Sequence, residues 1–245
     1  MGKLYVGTSG WSYREWKPDF YPADVPQKRW LEHYCSALTA CEINATFYKL
    51  QAPTTFEKWS ANTPETFRFT TKAHRRLTHS KTITLEEESR RSFFDTWLGS
   101  VKQLGPRLGA TLFQFPPYRR RDDHALNALL AALPDGLPAA FEFRHESWDD
   151  EVVAKTIADA GGTVCISNTN GEVPESLPPG PLAYVRLRTE RYSPLARIGW
   201  LDLLLRESAE RDVFAFAKHE GIPTGDEYGG VGLAQWLVHQ VPSDA

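Results

Sequence analysis

The sequence predicts an α/β protein with a single-domain (β/α)8 TIM-barrel fold. Eight short apolar runs are typical of strands, and segments of helical periodicity alternate with them along the chain. The length of 245 residues agrees with this fold, because α/β barrels of that size form one domain. We therefore expect one barrel domain over residues 1–245.

The predicted strands are apolar runs rich in β-branched and aromatic residues, as expected for parallel strands buried on both faces. They cover residues 3–9, 41–48, 67–74, 110–117, 139–148, 162–168, 182–188 and 212–220. The proline-rich segment 169–181 follows the sixth strand and is expected to be a surface loop.

The predicted helices lie between these strands and carry apolar residues three and four positions apart. In the segment 123–133, for example, Leu126, Leu129, Leu130 and Leu133 form one stripe that would face a sheet. The predicted helices cover residues 27–39, 54–62, 86–104, 123–133, 149–160, 195–210 and 229–240.

Composition excludes several classes of protein. The chain is 41% hydrophobic and 12% aromatic, which is typical of a folded domain and not of a disordered one. Its formal net charge of −3 gives no global basic field of the kind that marks most nucleic-acid binders. No long apolar run or charged leader segment is present, so we expect a cytoplasmic protein without a membrane partner.

Cysteine and histidine spacing predicts neither a disulfide framework nor a metal centre. The three cysteines, Cys35, Cys41 and Cys165, show no CxxC pattern. The seven histidines form no HxH or HExxH motif and meet no cluster of Asp at a strand end. We therefore expect no metal and no cofactor.

Polar residues in the apolar runs are the main functional signal. Side chains alternate along a strand, so residues two apart share one face. Glu42 shares a face with Asn44, Glu142 shares one with Arg144, and Tyr184 shares one with Arg186. In a barrel these faces point inward near the C-terminal strand ends, where barrel enzymes assemble their sites. The alternative is a salt-bridge network that only fills the interior.

The balance of charge predicts an anionic ligand, because arginine and lysine outnumber glutamate among these residues. We assign Glu42 and Glu142 as candidate acid and base groups. The remaining candidates would bind the substrate: Asn44, Lys72, Gln114, Arg144, Arg186, Lys218, Tyr48, Trp11 and Trp148. Glycines in the loop 221–230 either bind phosphate through backbone N–H groups or simply form turns.

Several motifs in a fixed order resemble one known family. They are GTSGW at 7–11, EINATFY at 42–48, LTH at 77–79, LFQFPP at 112–117, FEFRHESW at 141–148, YVRLR at 184–188 and FAKHE at 216–220. Together they resemble the DUF72 (YecE-like) family, whose known examples are similar to a TIM barrel. The resemblance implies a barrel with recurrent polar positions here at Glu42, Asn44, Lys72, Gln114, Glu142, Arg144 and Arg186. Two positions depart from the family: Asn168 replaces a common Asp, and FAKHE replaces an FNN-type ending.

Three hypotheses about function follow. The first is a metal-independent acid–base hydrolase, lyase or isomerase that acts on a small phosphorylated or carboxylated, sugar-like molecule at the barrel mouth. The second is a nucleic-acid-binding or endonuclease IV-like protein, which the basic run at 119–121 and the aromatic residues favour. The third is a non-catalytic binding protein.

Overall fold

The computed structural model describes residues 2–241 and shows nine parallel strands in a nearly closed barrel, surrounded by helices. This confirms the predicted single-domain α/β barrel. The strands are β1 (Leu4–Thr8), β2 (Ala40–Ile43), β3 (Arg68–Lys72), β4 (Leu108–Gln114), β5 (Ala139–Glu142), β6 (Gly162–Val164), β7 (Ile166–Asn168), β8 (Leu182–Leu187) and β9 (Asp212–Ala217).

The barrel closes at the predicted sixth strand, which is split into β6 and β7 at Cys165. The order around the sheet is β6-β5-β4-β3-β2-β1-β9-β8-β7. β6 pairs with β5 at one edge of the sheet, and β7 pairs with β8 at the other edge. The two halves of this one predicted strand therefore join the two edges. The amide of Cys165 continues the pairing through a 2.8 Å hydrogen bond to the carbonyl of Phe141.

Helices cover the outside of the strands. The α-helices are α1 (Trp30–Ala37), α2 (Ala45–Tyr48), α3 (Pro53–Ala61), α4 (Arg75–Thr78), α5 (Glu88–Val101), α6 (Asp123–Ala132), α7 (Glu151–Asp159), α8 (Pro194–Ser208) and α9 (Gly230–Gln240). Short 3-10 helices span Arg14–Trp16, Gln27–Arg29, Lys102–Arg107 and Glu146–Trp148. Across residues 2–241, every helix is too short or too polar to cross a membrane.

Several strands end earlier than the apolar runs predict. β2 stops at Ile43, and the rest of its run forms α2. β5 stops at Glu142, and its run ends in the 3-10 helix Glu146–Trp148. An apolar run in the sequence does not show where a strand ends if the turn that follows is also buried. Polar residues at these shortened ends therefore lie at the barrel mouth.

The alternation of side chains divides the apolar residues between two cores. Tyr5, Leu112, Tyr184 and Phe214 belong to a cluster inside the barrel. Residues one position away, such as Val185, pack outward against the helices. The predicted inward face of the strands is thereby confirmed, and it positions the polar residues described next.

Candidate functional site

Arg186 connects two buried carboxylates inside the barrel. Its Nη2 donates a 2.8 Å hydrogen bond to Oε1 of Glu42, and its Nη1 donates a 2.7 Å hydrogen bond to Oε2 of Glu142. The three side chains are at most 4% exposed. They come from β8, β2 and β5, none of which is adjacent to another in the sheet. We call these three residues the carboxylate–arginine network.

Glu42 is held as a carboxylate by donors on three sides. Besides Arg186, it accepts a 2.7 Å hydrogen bond from the hydroxyl of Ser9 and a 2.8 Å hydrogen bond from the hydroxyl of Tyr184. Burial raises the pKa of Glu42, but Arg186, Lys72 and the two hydroxyls together hold the pKa below its usual value. Glu42 is therefore ionised at neutral pH.

Glu142 is ionised for the same reason. Its Oε1 accepts a 2.8 Å hydrogen bond from Nε2 of Gln114 and a 3.0 Å hydrogen bond from Nε of Arg144. Burial raises the pKa of Glu142, yet the charges of Arg186 and Arg144 and these hydrogen bonds lower it to about 2. A carboxylate with so low a pKa is a weak base and has no proton to donate near neutral pH.

Lys72, at the end of β3, is a buried cation without an ion-pair partner. Its Nζ lies 4.3 Å from the centre of the Phe47 ring. In the part of the chain that the structure describes, Nζ forms no hydrogen bond or salt bridge. Burial and the charge of Arg186 lower the pKa of Lys72 to about 8, although Glu42 and Glu142 oppose this. Such a lysine supplies a neutral amine close to physiological pH.

Arg144 faces solvent at the mouth. Its side chain is 46% exposed, and Nε alone is used by Glu142. Its two Nη groups make no hydrogen bond to any residue in the range 2–241. Arg144 lines a cavity of about 660 Å³ together with residues 143, 145, 146, 148, 149, 164–170 and 172–174. The free edge of the guanidinium therefore faces a space large enough for a small molecule.

A second cavity, of about 770 Å³, opens at the other end of the barrel, near the loop 133–139 after α6. Neither this cavity nor the one beside Arg144 is lined by a residue of the carboxylate–arginine network, but only the latter contains a side chain, Arg144, that bonds to it. Because catalytic groups of barrel enzymes lie at the C-terminal strand ends, we place the candidate site at the mouth.

His79 also lies at the mouth, directly after α4. Its ring packs edge-on against Phe47 at 4.9 Å between centroids, and its Nδ1 lies 2.9 Å from the hydroxyl oxygen of Thr78. Burial, followed by the charges of Lys72 and Arg144, lowers the pKa of His79, so the ring is neutral at pH 7. No role for this histidine follows from the sequence. Its only signal there was the LTH motif.

Two predicted binding residues lie close to the carboxylate–arginine network. Gln114 bonds Glu142 directly. Asn44 donates a 3.4 Å hydrogen bond from Nδ2 to the carbonyl of Ser9, and its buried Oδ1 has no hydrogen-bond partner among the described residues. Both amides can orient a ligand beside the ionic groups.

The remaining predicted binding residues lie apart from the network. Nζ of Lys218 is 3.1 Å from Oε1 of Glu190 on the rim. Tyr48, which ends α2, is 69% exposed. The Trp11 ring packs edge-on against Trp59 of α3, 5.3 Å between centroids, in the outer core.

Trp148 is buried, although it forms part of the wall of the mouth cavity. Its indole stacks on Phe143 at 4.2 Å, and its N–H donates a 2.8 Å hydrogen bond to the carbonyl of Arg119. These contacts fix the ring as packing between the strand and the loop that follows it.

Two of the glycines after β9, Gly229 and Gly232, have a packing role. A Cβ at Gly229 would lie 2.0 Å from the carbonyl oxygen of Glu190, and one at Gly232 would lie 2.6 Å from that of Asp226. Neither residue can be larger without moving backbone. These approaches explain both glycines without a bound phosphate.

Two of the three arginines in the basic run at 119–121 form hydrogen bonds or ion pairs within the protein. Nη1 of Arg119 donates a 2.8 Å hydrogen bond to the carbonyl of Lys81. Arg121 forms 2.6 Å ion pairs with Asp123 and Asp150. Only the middle arginine of the run is free of such contacts within the described chain.

No group of three or more His, Cys, Asp and Glu side chains in residues 2–241 is arranged to hold a metal ion. The acidic residues at the mouth instead bind arginine.

Two solved structures of DUF72 family proteins are similar to this chain. The protein from Enterococcus faecalis V583 is 17% identical with a TM-score of 0.72, and the match covers 99% of each chain. The protein from Thermotoga maritima MSB8 is 22% identical with a TM-score of 0.73, covering 96% of this chain and 98% of the other. A D-psicose 3-epimerase in the presence of D-fructose is 14% identical with a TM-score of 0.51, covering 95% and 89%. At these identities the likeness shows the fold alone.

Sequence comparison gives the family. A curated relative, the UPF0759 protein YunF of Bacillus subtilis (strain 168), is 30% identical over 149 residues, which are 59% of this chain. The match spans about half of that relative, 52% of its length. The family model described as "Protein of unknown function DUF72" matches residues 5–223. Because this match covers most of the barrel, the protein belongs to the DUF72 family.

Proposed function

We propose that this protein is an enzyme that binds a small phosphorylated or carboxylated, sugar-like molecule at the C-terminal mouth of the barrel and acts on it by proton transfer. The observation that carries the proposal is the pair of cations, Lys72 and Arg144, that keep free N–H groups at the mouth. Lys72 is shielded from water, where a cation attracts an anion strongly, and Arg144 offers its Nη groups from the solvent side.

The charges at the mouth leave room for an anion. Among the ionic side chains that meet inside the barrel, Glu42 and Glu142 supply two negative charges, and Arg186, Arg144 and Lys72 supply three positive charges; Glu146, Asp149 and Glu172 line the adjoining cavity. Both carboxylates bind Arg186, and Glu142 also binds Nε of Arg144, so Nζ of Lys72 and the two Nη groups of Arg144 are the cationic groups left for a ligand. A monoanionic or dianionic group therefore complements the site.

The roles divide differently from those that the sequence suggested. Glu42 and Glu142 are held ionised and fix Arg186, so they orient and stabilise charge in this arrangement. Lys72, with a pKa of about 8, can exchange a proton near neutral pH, and burial keeps the His79 ring neutral and able to accept one. A substrate anchored on Arg144 would thus meet its proton-transfer groups on β3 and on the residue after α4.

The test of the proposal is ligand-dependent thermal stability of the pure protein. Sugar phosphates, hydroxy acids and oxo acids are added one at a time to wild type and to Arg144→Ala. A ligand at about a hundred times its dissociation constant stabilises by about 2.7 kcal/mol, a shift of several degrees. We expect the shift in wild type and its loss in the variant, after which turnover of that ligand is followed directly.

Arg120→Ala is the matched control, because this exposed arginine lies on the same rim and makes no side-chain hydrogen bond in the described chain. It should leave the shift unchanged. Equal loss in both variants would reduce the effect to general surface charge and contradict a site at Arg144.

Nucleic-acid binding stays an alternative that the contacts favour less, since Arg119 and Arg121 bond to the protein itself. Short oligonucleotides in the same assay test it. Stabilisation by oligonucleotides that falls steeply with salt, without any effect of small anions, would favour this alternative over the enzyme.

A further inference from the structure

We propose that Lys72 is a nucleophile, which forms an imine with the carbonyl carbon of a small substrate whose carboxylate or phosphate group binds Arg144. This inference rests on the proposed function and adds to it a substrate class, carbonyl compounds that carry an anionic group. It also assigns the reaction a covalent intermediate.

The position of Lys72 is that of a reactive amine. The residue ends β3 within the mouth and is 8% exposed, and the aromatic face of Phe47 lies beneath its Nζ. Lysines are activated as nucleophiles by burial or by a neighbouring cation, and Lys72 is buried against the Phe47 ring with the charge of Arg186 acting on it. Its pKa of about 8 agrees with this environment.

Neither Glu42 nor Glu142 forms an ion pair with Nζ of Lys72. Oε1 of Glu42 and Oε2 of Glu142 each bind Arg186 at 2.7–2.8 Å, whereas neither carboxylate lies within ion-pair distance of Nζ. A lysine that served only to balance buried charge would be expected to contact one of them. The amine thus has no hydrogen-bond or ion-pair partner among the described residues, and its charge acts on Glu42 only at longer range.

His79 is placed to carry the protons of the reaction. Its ring and the Nζ of Lys72 contact the same Phe47 ring, and its Nε2 makes no hydrogen bond to any described residue. The charge of Lys72 contributes to the lowered pKa of His79, so the two groups are electrostatically coupled. A neutral imidazole both accepts and returns a proton near pH 7.

The step balances without an oxidant or a reductant. The lone pair of the neutral amine attacks the carbonyl carbon, and the carbonyl π electrons move to oxygen. His79 carries one N–H proton to that oxygen to give the carbinolamine, and then a second one as the C–O bond breaks. Water leaves and a C=N bond forms, so both amine hydrogens depart with the carbonyl oxygen.

An imine withdraws electrons from the neighbouring carbon atoms, which weakens their C–H and C–C bonds. Lyases and isomerases break such C–H or C–C bonds, whereas hydrolases do not require this activation. The proposal therefore favours lyase or isomerase chemistry at this mouth.

The test is reductive trapping. Wild-type protein is incubated with glyoxylate or with pyridoxal phosphate, reduced with borohydride, digested and mapped by mass spectrometry. Glyoxylate tests a carboxylate anchor, and pyridoxal phosphate tests a phosphate anchor and also shows imine absorbance. We expect Lys72 to be labelled at least about tenfold faster than the exposed Lys49, because more of its amine is neutral.

Two matched comparisons establish the role of the anion. Glycolaldehyde and pyridoxal, which lack the anionic group, should label Lys72 more slowly than their charged counterparts. Arg144→Ala should remove that difference, whereas Arg120→Ala should keep it. Lys72→Arg keeps the charge but has no amine able to form an imine, so it should abolish labelling at this position.

The outcomes separate this inference from the proposed function. If anion binding depends on Arg144 but Lys72 is not labelled preferentially, the proposed imine is contradicted and the proposed anion site is supported. Labelling spread evenly over exposed lysines would also overturn the imine. Absence of Arg144-dependent binding would instead contradict the proposed function itself.

Discussion

Arg186 on β8 donates through Nη1 to Oε2 of Glu142 on β5, directly across the interior of the barrel. Its other Nη group binds Glu42, and its buried Nε has no hydrogen-bond partner among the described residues. Both Nη groups of the planar guanidinium are thus bound to carboxylates of the protein itself. The residue that the sequence assigned to the substrate clamp is therefore chiefly a tie between strands.

Glu142→Gln should lower the free energy of unfolding by about 3 kcal/mol, because removing one partner of a buried ion pair leaves the other uncompensated. The lost contact is the 2.7 Å pair with Arg186. Urea unfolding followed by circular dichroism measures the change. Glu146→Gln, an exposed neighbour, should change stability by less than about 0.5 kcal/mol. Equal stability of both variants would show that the pair contributes nothing.

Acid should destabilise the protein through Glu142. Its folded pKa of about 2 lies below the 4.5 of the unfolded chain, so the unfolded state binds a proton first as pH falls. The contribution, about 3 kcal/mol, is complete above pH 4.5 and is lost progressively towards about pH 2. Unfolding free energies at a series of pH values should fall less steeply in Glu142→Gln than in wild type. Parallel curves would contradict the lowered pKa.

Lys72→Met should stabilise the protein at pH 7 while weakening anion binding. The pKa of Lys72 falls from 10.5 in the unfolded chain to about 8, so holding the protonated amine costs about 3 kcal/mol. Because the unfolded state keeps its proton over that interval, wild-type stability should rise between about pH 8 and 10.5.

Denaturant unfolding of Lys72→Met and wild type over this pH range checks the prediction. Lys49→Met is the control, since the lysine it removes is exposed. Loss of stability in Lys72→Met would show that the amine supports the fold.

Gly229→Ala should destabilise the protein by more than about 1 kcal/mol, since the new Cβ would lie 2.0 Å from the backbone oxygen of Glu190. Gly225→Ala in the same loop should be neutral, because its Cβ would meet nothing within 4 Å. Thermal unfolding of both variants measures whether the loss of stability is specific to the close approach at Gly229. Equal behaviour would mean that the loop moves to accommodate the methyl group.

Period-two alternation was enough to predict the interior positions of Glu42, Glu142 and Arg186, since it depends only on backbone geometry. It could not predict their partners. Whether Arg186 binds an anion or two carboxylates depends on how strands far apart in sequence come into register.

The same limit explains why the contacts of Trp148, His79 and Lys218 could not be predicted from the sequence. Trp148 follows the true end of β5, where alternation no longer applies, and it turns into the packing against Phe143. His79 follows the four-residue helix α4, which is too short to show periodicity. Lys218 follows the end of β9, where its side chain turns to Glu190 on the rim.

The span of the carboxylate–arginine network along the chain also constrains assembly. Glu42 is synthesised 144 residues before Arg186, its counter-ion. A half-barrel that ended before β8 would enclose the Glu42 carboxylate without that guanidinium, an arrangement that burial alone opposes. We therefore expect β8 to join the barrel before its interior loses water, so that closure of the barrel and pairing of the Glu42 carboxylate with Arg186 occur together.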